Sequence, residues 1–571
     1  MTSSVATPLS PQTRAAAIEA LAGGDELDIL VVGGGVTGVG CALDAVTRGL
    51  RTGLVEQRDF ASGTSSRSSK LIHGGLRYLE MFDFRLVAEA LKERGLLLTR
   101  LAPHLVRPVP FLYPLTKAVV ERPYVEAGLT MYDTMARASK HAAGLPWHKH
   151  LTRRQALRLA PALKSTALVG AVQYYDAKVD DARHTMEIAR TAATYGAHVA
   201  SRVAVVGFLR QGERVTGVRA LDKETGREFE IHARQVVNAT GVWTDQTQAM
   251  VGERGQFHVR ASKGIHLVVP RDRFHSTTGI ILRTEKSVLF VIPWGRHWII
   301  GTTDTDWALD LAHPAATSAD IEYILGHVNR ILATELTQAD VEGVYAGLRP
   351  LLSGESDQTS KLSREHIVAH PTPGLVVIAG GKYTTYRVMA MDAIDEAARA
   401  LGGDVPSSTT ENIPMVGAVG YHAMWNRRKS LAADSGLHVE RIEKMLMRHG
   451  VLITEILDLI AADRTLGEPL PGGEDYLKAE IVYAASHEGA LHLDDVLARR
   501  TRLSIESFDR ALTASRPAAE LIAPVLGWSA ADVDNEVEHY RQRVAAERMS
   551  QTMPDDASAD AARLAAPDIT G

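Results

Sequence analysis

The stretch DELDILVVGGGVTGVGCALDAVTRGLRTGLVEQRD, Asp25 to Asp59, decides how the chain begins to fold. Ile29 to Val32 is an unbroken apolar run of strand length. Gly33 to Gly38 reads as a turn. Val39 to Arg48 has helical spacing with small residues and stops at Gly49, and TGLVE makes a second strand. The turn, Gly33-Gly34-Gly35-Val36-Thr37-Gly38, fits G-x-G-x-x-G. Its first glycine permits the tight turn, its second lets backbone approach a pyrophosphate, and its third lets helix and strand pack closely. The helix start adds free N–H groups and a partial positive charge. Glu56 lies about twenty residues further on, at the end of the second strand, where a carboxylate can bond a ribose hydroxyl and disfavours a 2′-phosphate. A purely structural glycine turn would not explain Glu56. The stretch is therefore a nucleotide-binding strand–helix–strand unit of an α/β protein.

The 571 residues allow roughly three or four domain-sized units. An apolar content of 45% with 23% charged residues is that of a soluble globular chain, and a net charge of -5 gives no reason to expect a nucleic acid partner. The single cysteine, Cys41, excludes an intramolecular disulfide and suits a reducing compartment. The N-terminus lacks the basic and apolar regions of a secretory signal; Ser10-Pro11 reads instead as the start of a short helix and Gly23-Gly24 as its stop. No apolar window approaches the ~18–20 residues of a spanning helix.

Beyond Asp59 the chain does not continue as a plain nicotinamide-nucleotide domain would, with immediate strand–helix alternation. It runs through GTSSRSSKLIHGGLRYLE, Gly63 to Glu80, which is rich in donors and poor in bulk, and then through a helical, basic, aromatic-bearing region from Leu91 to about Ala160. Alternating strand-like runs dominate from about Leu168 to Gly301. QVVNATGVWTD ends an apolar strand on the small residues Asn238-Ala239-Thr240-Gly241, and VVIAGGKYTT ends another on Gly380-Gly381 before a helix. Three strand-to-small-residue turns, far apart in sequence, suit a long cofactor such as FAD. After a break at GGDVPSSTTENIP, between Asp404 and Val416, the pattern is all-helical, and the small, polar tail after Met549 is expected to be disordered.

Several cations stand beside glycine or proline in loops: Arg77 in HGGLRY, Arg349 in AGLRPL, and Lys382 and Arg387 in GGKYTTYR. Arginine offers a planar fork to phosphate or carboxylate, and lysine a point charge. His73 and His266 are the candidates for moving a proton, although a lone strand histidine more often completes a core. No metal site is expected.

These motifs carry a resemblance. VVGGGVTGVG, GTSSRSSKLIHGGLRYLE, FVIPW, IIGTTD, AGLRPL and GGKYTTYR occur in this order in FAD-dependent glycerol-3-phosphate dehydrogenases, and the chain is similar to the aerobic, respiratory-chain type, strongly from about Asp28 to Ala390. EIVYAASHEGALHLDDVLARRTR looks like that family's cap. The resemblance implies an α/β + α protein: a glutathione-reductase-like FAD-binding Rossmann domain (25–90 with 165–260 and 340–404), an antiparallel-sheet substrate domain (91–164 with 261–339) and a helical C-terminal cap (405–549), between an N-terminal extension (1–24) and the tail (550–571).

It further implies oxidation of sn-glycerol 3-phosphate to dihydroxyacetone phosphate, with electrons passed to a membrane quinone. Arg77, Tyr78, Arg349 and Lys382 would bind the substrate, and Arg349, Lys382 and His266 would serve catalysis, His266 as general base. FAD would be held by the glycine turn (Gly33, Gly35, Val36, Thr37, Gly38), by Glu56 and Gln57, and by Ala239, Thr240, Gly241, Gly381, Lys382 and Thr384. The donor-rich ribbon would carry it onward: Thr64, Ser65 and Ser66 at the pyrophosphate and ribitol, Ser69, Lys70 and Leu71 along the cofactor, and His73, Gly74 and Gly75 at the isoalloxazine. Placement on the cytoplasmic face of the cell membrane as a peripheral protein is expected, and a homodimer is left open. Arg94 to Arg154 holds many cations among Phe111, Tyr113, Tyr124, Tyr132 and Trp147; this suits an anionic lipid surface or, equally, an ordinary basic surface over buried aromatics. The competing readings are an oxidase passing electrons from the same substrate to oxygen, an amine or amino-acid oxidase, and a flavin-binding protein without catalysis.

Overall fold

The computed structural model describes residues 6–75, 83–117, 121–138, 144–252, 258–284, 288–352 and 365–570. The apolar run after Asp28 forms the strand Leu27–Val32, buried on both faces: Ile29 and Val31 enter one core, Leu30 and Val32 another. It pairs in parallel with Thr52–Glu56 on one side and Glu228–Asn238 on the other. Leu375–Gly380 and His198–Ser201 extend this parallel sheet outward. The helix Val36–Thr47 crosses between the first two strands and packs on the helix Tyr386–Leu401; a Cβ added at Gly40 would sit 3.1 Å from Ala390 and Tyr386. This is the expected nucleotide-binding domain.

Among the described residues the second sheet has ten strands. Next to one edge the long strand Val259–Pro270 pairs antiparallel with both His297–Gly301 and the outer Gly343–Leu352. Two apolar clusters cover its faces. The sheet takes in strands that the expected boundaries assigned to the FAD domain: Gly170–Lys178, Gly343–Leu352 and the short Leu71–Ile72. Cross-strand pairing decides this, because each of the three finds its partner in the second sheet.

The Leu91–Ala160 region is also less helical than expected. The helices Phe84–Leu96 and Glu121–Ala138 flank a strand, Arg107–Leu115. Pro108, Pro110 and Pro114 share one parity, so their missing N–H groups fall on one edge and the opposite edge pairs with Gly170–Lys178.

The C-terminal third is a helical body with two cores. Buried ion pairs join it to the nucleotide domain: Asp59 to Arg500 at 2.7 Å, and Arg183 to Glu488 at 2.6 Å. The tail is ordered rather than disordered. Asp556–Arg563 is a helix, capped by Asp555 accepting from the Ser558 N–H at 2.9 Å. Ala559 and Ala566 are buried, and Asp568 pairs with Arg58 at 2.7 Å. Its composition is that of a loose end; its tertiary partners, some 500 residues upstream, are invisible to composition. The N-terminal extension forms the expected helix, Pro11–Ala22, capped by Ser10 and ended at Gly23.

Candidate active site

A cavity of about 680 Å³ runs from the glycine turn to the second sheet. Its nucleotide end is made largely of backbone. Gly33 has φ 114°, which favours glycine, and a Cβ there would lie 2.7 Å from the Ala239 carbonyl oxygen. A Cβ on Gly38 would come within 1.8 Å of the Gly33 carbonyl oxygen, so this glycine serves helix–strand packing and does not line the cavity. At Gly35 an added Cβ would meet only Ser65 Oγ, at 3.4 Å; the space there is open to a ligand. The Ser65 hydroxyl accepts the Val36 N–H at 2.9 Å, at the start of the helix. Glu56 accepts the Gly34 N–H at 2.6 Å and the Arg58 N–H at 2.8 Å. Burial raises its pKa, and these two N–H groups oppose the rise.

Gly33, Gly35, Val36, Thr37, Glu56, Gln57, Thr64, Ser65, Ser69, Leu71, His73, Gly75, Ala239, Thr240, Gly241, Gly381, Lys382 and Thr384 all line this one cavity. The length of the cleft, the open backbone at Gly35 and the acid beside the turn fit FAD.

Three residues of the ribbon turn elsewhere. Lys70 is fully buried beneath it; its ammonium donates to Asp181 Oδ1 at 2.7 Å and to the Ser66 carbonyl at 3.1 Å. Ser66 faces a separate small cavity under the cap. Gly74 gives its N–H to Tyr132 Oη at 2.9 Å, and a Cβ there would strike Leu91 at 2.5 Å. The helices that carry Leu91 and Tyr132 leave no room for a Cβ at Gly74. Arg387, a candidate anion binder, is instead locked on Glu93 at 2.8 and 2.7 Å and lies outside the cavity. Arg77 and Tyr78 lie outside the described residues.

The far end is assembled across strands. Ser262, Gly264 and His266 alternate along Val259–Pro270, directly opposite Arg349, Gly347 and Tyr345 on Gly343–Leu352. Side-chain alternation therefore turns His266 and Arg349 to the same face. Between them the two glycines let neighbours approach closely: a Cβ at Gly264 would lie 2.5 Å from Arg349 Nη2, and one at Gly347 2.4 Å from the Arg67 carbonyl oxygen. Arg349 is aimed by Thr302 Oγ1 at 3.0 Å and the Thr303 carbonyl at 3.2 Å, with Asp304 at 3.7 Å. His266 stacks on Tyr345 with ring centroids 4.7 Å apart, and its Nε2 lies 2.8 Å from Ser69 Oγ. Burial, helped by Arg349 and Lys70, holds its pKa well below the ordinary value, so the imidazole is neutral at neutral pH. Lys382 reaches the cavity from the turn between Leu375–Gly380 and Tyr386–Leu401. The cavity also takes in Trp243, Arg283 and Asp304, which sequence reading did not single out. Trp243 directly follows Gly241-Val242 in the quoted NATGVW run, and Asp304 ends the quoted IIGTTD motif, so a signal for each was there; Arg283 had none.

A family model described as FAD dependent oxidoreductase matches residues 28–387, and a second, described as the C-terminal domain of alpha-glycerophosphate oxidase, matches 408–533. Glycerol-3-phosphate dehydrogenase 2 of Mycobacterium tuberculosis is 59% identical over 99% of this chain and 95% of its own length. The chain belongs to the FAD-dependent glycerol-3-phosphate dehydrogenase family. The mitochondrial member from Mus musculus is 37% identical over 92% of this chain and 74% of its own length. Among solved structures, the family member from Bacillus halodurans, complexed with FAD, aligns with a TM-score of 0.77 at 28% identity, over 94% of this chain and 98% of that one. FAD is the cofactor that this family and this cavity share.

Proposed function

We propose that the chain oxidises sn-glycerol 3-phosphate to dihydroxyacetone phosphate and that the electrons end on a membrane quinone. The observation that supports this most is that the glycine turn, neutral His266, Arg349 and Lys382 all line one cavity. Bound FAD supplies a two-electron acceptor for the hydride from C2 of the substrate. Arg349 and Lys382 would hold the substrate, with Arg77 and Tyr78 as further pocket residues, and so orient C2 toward the flavin. Cationic charge beside the C2 oxygen stabilises the negative charge that develops there. His266, neutral and backed by the Ser69 hydroxyl, takes the hydroxyl proton. An amine or amino-acid substrate lacks the phosphate that these cations match.

Anaerobic addition of sn-glycerol 3-phosphate to the flavin-loaded protein tests the reading. Bleaching of the flavin band is expected, and an unchanged spectrum defeats it. The name of the C-terminal family model keeps an oxidase as the second reading. Stoichiometric peroxide in turnover without added quinone would favour it.

Attachment to the inner face of the membrane is part of the proposal. Among the described residues, no helix is long and apolar enough to cross a membrane. Within the basic region, Phe111 and Tyr132 are core residues and Arg94 is a buried partner of Asp176. Exposed in it are Tyr124 and Trp147 with Arg100, Lys117, Arg122, Arg137, Lys149, Arg153 and Arg154, Arg137 lying over Trp147 at 4.7 Å. Co-sedimentation with anionic vesicles should fall when Arg122, Arg153 and Arg154 are replaced by glutamate; unchanged binding removes this surface from the proposal.

A further inference from the structure

Outside the flavin cavity, Glu126, His148 and His150 come together in a way the reaction does not use. Glu126 is on the helix Glu121–Ala138, His150 is in the strand Lys149–Thr152, and His148 immediately precedes that strand. One ligand atom from each lies within 4.8 Å of the other two. Two-residue spacing puts both histidines on one face of the extended chain.

Asp133, two helical turns along from Glu126, accepts the His148 backbone N–H at 2.8 Å and lies 2.7 Å from its Nδ1. With Nδ1 turned to the Asp133 carboxylate, Nε2 faces Glu126 Oε1, 3.4 Å away. Nε2 of His150 faces Oε2, the other oxygen of the same carboxylate. Two imidazole nitrogens thus converge on one carboxylate, acceptor against acceptor, unless a positive charge lies between them. Two ring protons would supply it one contact at a time; one divalent cation satisfies all three groups together.

We propose that Glu126, His148 and His150 bind a divalent metal of the zinc class, with Asp133 as the outer carboxylate that orients His148. Two imidazoles and a carboxylate are a nitrogen–oxygen donor set suited to zinc, and three protein ligands leave a position for water. The carboxylate–histidine pair behind the metal fixes tautomer and ring orientation. Glu126 is separated from the two histidines by 22 and 24 residues, so the metal clasps the helix Glu121–Ala138 onto the strand beside it. The same helix carries Tyr132, which accepts the Gly74 N–H and donates to Asp176 at 2.6 Å. The clasp steadies a wall of the flavin cavity from outside.

The test uses flavin-loaded protein, stripped with a chelator, equilibrated with zinc chloride and freed of unbound metal. Elemental analysis should find one zinc per chain, absent from the Glu126→Gln/His150→Ala double variant at unchanged flavin content. Asp133→Asn should weaken zinc binding by roughly 10–100-fold without abolishing it. Zinc should raise the thermal midpoint of the unsubstituted protein and not that of the double variant. If the double variant loses its flavin, His150→Gln alone carries the same comparison. Unsubstituted protein that retains no zinc, or a variant that retains as much, overturns the proposal.

Discussion

The two ends of the cavity are built in opposite ways. The nucleotide end comes from neighbouring residues, mostly through their backbone: Gly33 to Gly38, then Glu56, then Ser65, with hydrogen bonds between 2.6 and 2.9 Å joining them. The reacting end comes from side chains delivered by distant segments. His266 and Arg349 face each other only because Val259–Pro270 pairs with Gly343–Leu352, and Lys382 arrives from the other sheet. Backbone tolerates no added bulk and cannot be replaced by another residue's side chain. Side chains, in contrast, can be removed one at a time while the frame stands. The two ends should therefore fail differently.

The largest effect should come from Gly38→Ala. Its Cβ would overlap the Gly33 carbonyl oxygen at 1.8 Å, so the turn cannot close; purified protein should lack the flavin absorbance band. At the other end, Arg349→Ala and Lys382→Ala should keep a full complement of flavin and lower kcat by about 10²–10³-fold each, the usual range for one lost charge-stabilising group. Loss of flavin in either would move that residue to the cofactor end and break the contrast. A smaller effect is expected from Glu56→Gln, which keeps shape and removes the charge accepting from Gly34 and Arg58. A lost charge-assisted hydrogen bond should weaken FAD binding by roughly tenfold to a hundredfold, with little change in kcat once saturated.

The smallest effect concerns acid. Burial, helped by His104, pushes His184 down to about 3, and His266 is held well below its ordinary value. Both folded-state values lie below the unfolded value of ~6.5, so on acidification the unfolded chain takes up protons first. The stability these groups lend is complete above about pH 6.5 and declines below it. The thermal midpoint should fall between about pH 6.5 and 5, and His184→Asn should flatten that fall.

The contrast also explains what was legible. Gly33, Gly35, Glu56 and the turns at Ala239 and Gly381 could be read because their requirements are local: a turn, a cap, a close approach of backbone. Lys70 and Arg387 could not, since a buried lysine on Asp181 and a loop lysine on a ligand share the same neighbours in sequence. Gly74 was expected at the isoalloxazine, and the atoms that exclude a Cβ there belong to Leu91 and Tyr132 on distant helices. The tail misled for the same reason: its partners, Arg58 and His313, are far upstream.

By itself the sequence determined the nucleotide-binding unit, the helical cap and the family, because hydrophobic period, glycine conformation and extended motifs are properties of adjacent residues. Tertiary structure decided which sheet each long strand joined, which cations were consumed by buried carboxylates, and that His266 is neutral beside Arg349. Those outcomes depend on cross-strand register and on desolvation by residues hundreds of positions away, and neither quantity is written in any local stretch of the chain.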